Sequence, residues 1–226
     1  MHVIAPNSED TLRIPSGAHS LAGFREWTRS EDFPAGERID FLGGDVEVEV
    51  SPEDLQTHGV LKAEIAGVLQ QLVARRRLGH VFIDRARVTA PAADLSVEPD
   101  VVVVLQESLA AGRVRYVPRA GKGPGRFAEI EGAPDLVVEV VSDASVRKDR
   151  DRLPRLYAAA GVPELWLADA RGVEPVLEIH RLQGSLYEPV LGSRDRWTES
   201  RCLGVSVRLQ RDEDPSGLWF FELAVR

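Results

Sequence analysis

The stretch DLVVEVVSDASVRKD, residues 135–149, decides how the rest of the chain is interpreted. Its valines predict a strand that is covered on both faces of a sheet. Glu139 interrupts them, and a buried carboxylate without a partner is costly in free energy. We therefore expect Glu139 to be paired, protonated or bound to a metal ion.

A second acid stands beside another valine run, because Pro99 and Asp100 open the segment VVVVL. If the two runs are adjacent strands, Asp100 and Glu139 form a site for a hard cation, since Mg²⁺ is typically held by one or two protein carboxylates and waters. Either acid could instead end a strand or meet an arginine. Asp135 is a rival ligand, but it lies about 13 Å from Glu139 on an extended strand, so we interpret it as the end of a loop.

The composition is that of an ordinary globular protein, with 226 residues and 43% apolar side chains. The single cysteine, Cys202, excludes an internal disulfide framework and a thiolate metal cluster, and it suits a reducing cytoplasm. No apolar stretch approaches the length of a membrane span, and the N-terminus MHVIAPNSED lacks a secretory pattern. The net charge of −8 weakens a nucleic-acid interpretation without excluding it, because clustered metal-binding carboxylates also make the total negative.

The clearest helix is SPEDLQTHGVLKAEIAGVLQQLVARRRLG, residues 51–79, with Ser51 as its cap and Gly79 as its end. His58 falls on its apolar stripe, where a histidine is either a satisfied core residue or part of a pocket. Glu64, at the edge of the stripe, is a further candidate acid.

Other segments complete an α/β (α+β) pattern. Pro154 and Gly161 bound a short helix. Residues 111–134, rich in glycine and arginine, predict a mobile loop. The segments from residue 164 onward predict an antiparallel set of strands. Because no composition shift marks a boundary, we expect a single domain over residues 1–226.

Lysine is rare in this chain. Of the 28 basic residues only Lys62, Lys122 and Lys148 are lysines. Where arginine is the usual cation, a lysine is a mild indication that a compact ammonium group is needed.

Metal-dependent nucleases often show an aspartate followed by Glu-x-Lys, and here that position reads Glu139-Val140-Val141, without the lysine. The chain nevertheless resembles the Uma-two family of restriction endonuclease-like proteins, a branch of the PD-(D/E)XK nuclease superfamily. The resemblance extends over about residues 37–181. It is carried by RIDFLGGDVEVEVSPEDLQTH (38–58), EPD (98–100), PDLVVEVVSDASVRKD (134–149) and LYAAAGVPELWLADARG (156–172).

The resemblance implies a restriction-endonuclease-like mixed β-sheet flanked by helices, with N-terminal and C-terminal extensions packed on the core. It also implies that Asp100 and Glu139 hold Mg²⁺ or Mn²⁺, with His58 lining the same pocket. Family members often supply the lysine from the following helical segment, at a position occupied here by Leu153. Lys148 is the nearest substitute and our candidate catalytic lysine, although it could instead be a surface cation beside Asp149 or Asp151.

The function implied by the resemblance is metal-dependent endonucleolytic hydrolysis of phosphodiester bonds, with DNA as the expected partner. The alternative is a weakly active or inactive nuclease-fold protein that binds nucleic acid or a protein partner. A third alternative is another hydrolase on the same scaffold. We expect a cytoplasmic protein without a membrane contact, and a homodimer would suit cleavage of two strands.

Overall fold

The computed structural model describes residues 2–4, 11–34, 36–192 and 196–226. Most of the N-terminal stretch in which we predict no secretory signal lies outside these residues. The strands are β1 (His2–Ile4), β2 (Thr11–Arg13), β3 (Arg38–Leu42), β4 (Asp45–Glu49), β5 (Gly79–Ile83), β6 (Val88–Ala90), β7 (Leu95–Val97), β8 (Val101–Leu105), β9 (Val114–Pro118), β10 (Phe127–Gly132), β11 (Leu136–Val140), β12 (Glu164–Asp169), β13 (Val176–Gln183), β14 (Leu186–Leu191), β15 (Thr198–Ser200), β16 (Val205–Glu213) and β17 (Trp219–Val225). The α-helices are α1 (Leu21–Thr28), α2 (Leu61–Leu69), α3 (Gln106–Ala110) and α4 (Leu153–Ala160).

The valine runs form the middle of a six-stranded mixed sheet with the order β14-β13-β12-β11-β8-β5. Strand β11 runs parallel to β12 and antiparallel to β8. The predicted adjacency of the two runs is therefore confirmed. Because Val138 pairs with Val101, the next step across the two strands brings Glu139 and Asp100 together.

A second six-stranded sheet has the order β4-β3-β7-β6-β10-β9. The prediction of a mobile loop over residues 111–134 is wrong, because β9 and β10 pair there as antiparallel strands. Val114 and Ile130 bury their side chains against the valines of β8, and this packing outweighs the turn-like composition around them.

The predicted long helix is present, but its ends differ from the prediction. It runs from Leu55 to Ala74, with π-helical turns on both sides of α2. The cap is Asp54 rather than Ser51, and its Oδ1 accepts bonds from the backbone N–H groups of Gln56 and Thr57. Gly79 does not end the helix. It begins β5, where an added Cβ would lie 2.2 Å from the carbonyl oxygen of Val104.

The C-terminal strands extend the fold as predicted. Strands β12, β13 and β14 are antiparallel neighbours, and β15, β16 and β17 form a separate antiparallel sheet. Leu209, Phe221 and Leu223 of that sheet share one apolar core with Leu61 and Ile65 of α2.

Helix α4 begins beside Pro154 and ends at Gly161, whose φ of 82° is the left-handed conformation that favours glycine. None of the helices in the described part of the chain is long and apolar enough to span a membrane.

Candidate active site

The two acids of the valine runs are buried side by side, and one oxygen of each is fixed by a short hydrogen bond. The backbone N–H of Val140 donates to Oδ2 of Asp100 at 2.7 Å. The hydroxyl of Tyr157 on α4 donates to Oε1 of Glu139 at 2.6 Å. The remaining oxygens, Oδ1 of Asp100 and Oε2 of Glu139, each lie 3.5 Å from the guanidinium of Arg38.

Burial and mutual repulsion separate the pKa values of the two acids. Burial, followed by the negative charge of Asp100, raises the pKa of Glu139 well above its ordinary value. Burial opposes ionisation of Asp100 as well, but the hydrogen bond to His58 and the charge of Arg38 lower its pKa to about 2. Without a bound cation, Asp100 is therefore the more acidic member of the pair, and Glu139 is the member that holds a proton more strongly.

Arg38, at the start of β3, is the residue that sequence reasoning missed most completely. Its Nε also lies 3.8 Å from Asp40 and 3.6 Å from Glu49. Four carboxylates thus surround one guanidinium. Burial opposes its charged form, but these negative charges outweigh burial and hold the pKa of Arg38 well above its ordinary value. Nothing in the sequence around Arg38 singles it out, because its role depends on how the two sheets approach each other.

His58 joins Asp100 as predicted from the resemblance. Its Nε2 lies 3.5 Å from Oδ2 of Asp100, and its Nδ1 lies 3.0 Å from Oε2 of Glu53. The Nδ1 contact does not have hydrogen-bond geometry, so this buried nitrogen has no hydrogen-bond partner. Burial opposes protonation, but the bond to Asp100 raises the pKa of the imidazole.

Two lysines approach the site from different sides. Nζ of Lys148 lies 3.1 Å from Glu49 and 3.4 Å from Asp40, in the interval between β11 and α4. Nζ of Lys62, on α2, lies 3.8 Å from Oδ1 of Asp100. Sequence reasoning did not select Lys62, although its place four residues after His58 put the two residues on one helical face.

An open cavity of about 370 Å³ adjoins Asp100. Basic and acidic side chains alternate on its walls, which include Arg38, Glu49, Glu53, Lys62, Asp84, Arg85, Glu98 and Asp100. A second cavity of about 240 Å³ lies beyond Glu49 and is bordered by Lys148.

Two other candidate acids do not join the site. Asp135 accepts bonds from the N–H of Leu105 and the hydroxyl of Ser108, so it ends the preceding segment as interpreted. Glu64 accepts the backbone N–H of Leu223 at 2.9 Å and ties α2 to the C-terminal sheet.

The donors fit a divalent cation. Oδ1 of Asp100 and Oε2 of Glu139 both lie 3.5 Å from one guanidinium, and oxygen ligands of this kind suit Mg²⁺ and Mn²⁺. Glu53, His58 and Asp100 also offer ligand atoms within 4.8 Å of one another. The hydrogen bonds from Val140 and Tyr157 fix the orientation of the carboxylates, as supporting groups do around metal ligands.

The sequence model of the Uma2 family, described as "Putative restriction endonuclease", matches residues 21–212. Among solved structures, a protein from Anabaena variabilis described as a "putative nuclease belonging to DUF820" is similar to this chain with a TM-score of 0.57. The two are 19% identical, and the match covers 82% of this chain and 90% of the other. At that identity the likeness supports the fold alone. No protein of curated function matches the chain.

Proposed function

Because this chain belongs to the Uma2 family of restriction endonuclease-like proteins, we propose that it hydrolyses phosphodiester bonds with the help of a divalent metal ion. The observation that carries the proposal is the arrangement of Asp100 and Glu139. One oxygen of each is fixed by a short hydrogen bond, and the other lies 3.5 Å from the Arg38 guanidinium, with Lys62 a further 3.8 Å contact of Asp100.

Asp100 and Glu139 would hold the ion, which would polarise a phosphate and lower the pKa of a bound water. The chain's own groups orient these ligands. Tyr157 and the N–H of Val140 fix the two carboxylates, and His58 lies against the same Asp100 oxygen that accepts the Val140 N–H.

The finer details are also proposals. We infer that the metal is Mg²⁺ or Mn²⁺, that the substrate is DNA, and that the chain acts in the cytoplasm as a single domain over residues 1–226. Arg38, Lys62 and Arg85 line the open cavity and would attract a phosphate backbone despite the net charge of −8. A homodimer would suit cleavage of two strands.

One observation favours the second candidate, a nuclease-fold protein that binds nucleic acid or a protein partner without cleaving it. Arg38 already brings a positive charge to the two metal-facing oxygens, so the apo site is partly balanced without an ion. This candidate predicts binding without metal-dependent hydrolysis.

The test is a cleavage assay with single-stranded DNA, double-stranded DNA and RNA in Mg²⁺ or Mn²⁺, comparing the native protein with Asp100→Asn and Glu139→Gln. Asp143→Asn is the matched control, because the side chain of Asp143 is 94% exposed and lies outside the site. We expect both site variants to lose cleavage by a factor of about 100 or more, the scale of removing one transition-state-stabilising group, while the control keeps it. Equal cleavage by native protein and Asp100→Asn would refute the proposal.

A further inference from the structure

We propose that Lys62, on helix α2, is the catalytic lysine of this site, contacting the attacked phosphate or the attacking water. The inference rests on the proposed nuclease function and deepens it. In the reaction, a water oxygen joins phosphorus, the bond from phosphorus to one bridging oxygen breaks, and a proton passes from the water through solvent to the departing oxygen. Lys62 stays protonated and stabilises the negative charge that develops on the phosphate.

The first argument is position. Nζ of Lys62 lies 3.8 Å from Oδ1 of Asp100, the oxygen that Arg38 also approaches and that would bind the metal ion, and the Lys62 side chain lines the 370 Å³ cavity. His58 lies one turn earlier on the same helix, against the other oxygen of Asp100. The helix therefore presents one basic group to each oxygen of the carboxylate.

The second argument is the cost of releasing each lysine from its present partners. Lys62 is paired at 3.0 Å with Glu53 and at 2.8 Å with Asp84, whose side chains are 43% and 56% exposed. The Lys62 side chain is itself 12% exposed, but water can solvate these two carboxylates when a phosphate replaces them, so losing their contacts costs less than losing a fully buried pair.

Lys148 is held differently. One of its partners, Asp40, is only 3% exposed in its side chain. Moving Lys148 toward a substrate would break its hydrogen bond to this buried carboxylate, which is costly. Lys62 also approaches a buried carboxylate, Asp100, but at 3.8 Å it makes no hydrogen bond there. Lys148 therefore has a structural role in keeping Asp40 and Glu49 in place.

The third argument concerns the position where Glu-x-Lys would place its lysine. Val141 stands there with no exposed surface, and it is not among the described residues that line the cavity. A cation that reaches the phosphate must therefore come from another element, and α2 supplies one beside Asp100.

A competing use of the same residues is a metal ion held by Glu53, His58 and Asp100. The ammonium of Lys62 lies next to both carboxylates of that set, at 3.0 Å and 3.8 Å. A metal ion among Glu53, His58 and Asp100 would be repelled by the Lys62 ammonium, which already offsets the negative charge of the two acids. We therefore assign Lys62, and not a metal ion, to this position.

The experiment uses the full chain and all three of its lysines, as Lys62→Met, Lys148→Met and Lys122→Met, with Lys62→Arg as a conservative variant. Single-turnover cleavage is measured in Mg²⁺, Mn²⁺ affinity by calorimetry, nucleic-acid binding in Ca²⁺ by fluorescence anisotropy, and the melting temperature by calorimetry. Lys122 is exposed in the segment between β9 and β10 and serves as the neutral control.

We expect Lys62→Met to lose about 100-fold in the cleavage step. It should keep Mn²⁺ binding at native strength or tighter, because a like charge near the ligands is gone. Nucleic-acid binding should weaken by less than about tenfold, the effect of one phosphate contact. Lys62→Arg should recover part of the rate, since it restores the charge but not the shape. Lys148→Met should chiefly lower the melting temperature.

Because a loss of about 100-fold is expected, a cleavage rate for Lys62→Met above about one tenth of the native rate would overturn the assignment of Lys62 as the catalytic lysine. So would a loss in Lys148→Met that equals or exceeds the loss in Lys62→Met. Absence of cleavage by the native protein, or native-like cleavage by Asp100→Asn, would instead overturn the proposed function and the role of Lys62 with it. The two failures are therefore distinguishable.

Discussion

Replacing Arg38 with methionine is expected to make the stability of the fold depend on a bound divalent cation. In the native chain the guanidinium lies 3.5 Å from Asp100 and from Glu139, and slightly farther from Asp40 and Glu49. Methionine keeps most of the apolar stem and removes the guanidinium, with its charge and its N–H donors. The carboxylates would then repel one another, with Lys148 beside Asp40 and Lys62 beside Asp100 as the remaining lysines at the edges of the cluster.

The size of the effect follows from burial. Removing one partner of a buried ion pair costs about 3 to 5 kcal/mol. We expect the lower end, about 3 kcal/mol, because the Arg38 side chain is 21% exposed and its contacts are longer than ordinary charge-assisted bonds. For a chain of this length that corresponds to a fall of roughly 6 to 12 °C in the melting temperature. Protonation of Glu139, whose pKa is already raised, limits the loss.

The assay is differential scanning calorimetry with and without Mg²⁺ or Mn²⁺. A cation that enters the site replaces the missing charge, so its affinity should rise about tenfold and add about 1.4 kcal/mol of stabilisation at saturation. The metal-dependent rise in melting temperature should therefore be larger in Arg38→Met than in the native protein by roughly 3 to 6 °C.

Arg87→Met is the matched control, because Arg87 is also an ion-paired arginine of low exposure, 5% against 21% for Arg38, and pairs with Glu98, outside the pair that would hold the metal. It should lower the melting temperature without creating a metal-dependent recovery. Equal metal-dependent shifts in the native protein, Arg38→Met and Arg87→Met would refute the idea that Arg38 and a metal ion share the two free oxygens.

Two further predictions concern stability away from the site. Glu164→Ala should lower the free energy of unfolding in urea by about 3 kcal/mol. The buried carboxylate of Glu164 accepts hydrogen bonds from Trp166, Ser200 and the backbone N–H of Arg201. A change near zero would contradict its role in joining β12 to β15. Burial opposes ionisation of Asp169, but hydrogen bonds from Arg171 and Arg150 lower its pKa from 3.8 to about 2. The ionised carboxylate therefore stabilises the fold above about pH 4, and this stabilisation is lost as the pH falls toward 2. Asp169→Asn should therefore cost about 1 kcal/mol at pH 7 after allowance for solvent screening, with native and variant stabilities converging in acid; a constant difference across that pH range would contradict this account.

The two central carboxylates could be predicted from sequence because the free-energy cost of burying them is a local signal. A glutamate among valines must be compensated wherever the strand lies, so Glu139 and Asp100 stood out before their neighbours were known. Arg38, Lys62 and Tyr157 could not be found that way. Each is an ordinary residue in its own element, and its importance arises only where α2, α4 and the second sheet meet.

The charges of the site explain why the catalytic lysine can come from a different place in the sequence and still perform the same chemistry. Around Arg38 four carboxylates face Arg38 and Lys148, and Lys62, which is shared with Glu53 and Asp84, approaches one of the four, Asp100, at 3.8 Å. The carboxylates therefore outnumber the cations when all are ionised, and protonation or a bound cation offsets the surplus. Any element that borders the cavity can then provide the further cation that meets the substrate. What matters is that the ammonium group lies beside the carboxylate, not where its lysine stands in the sequence. Because Lys62 on α2 approaches Asp100, the position of Val141 can be occupied by an apolar core residue.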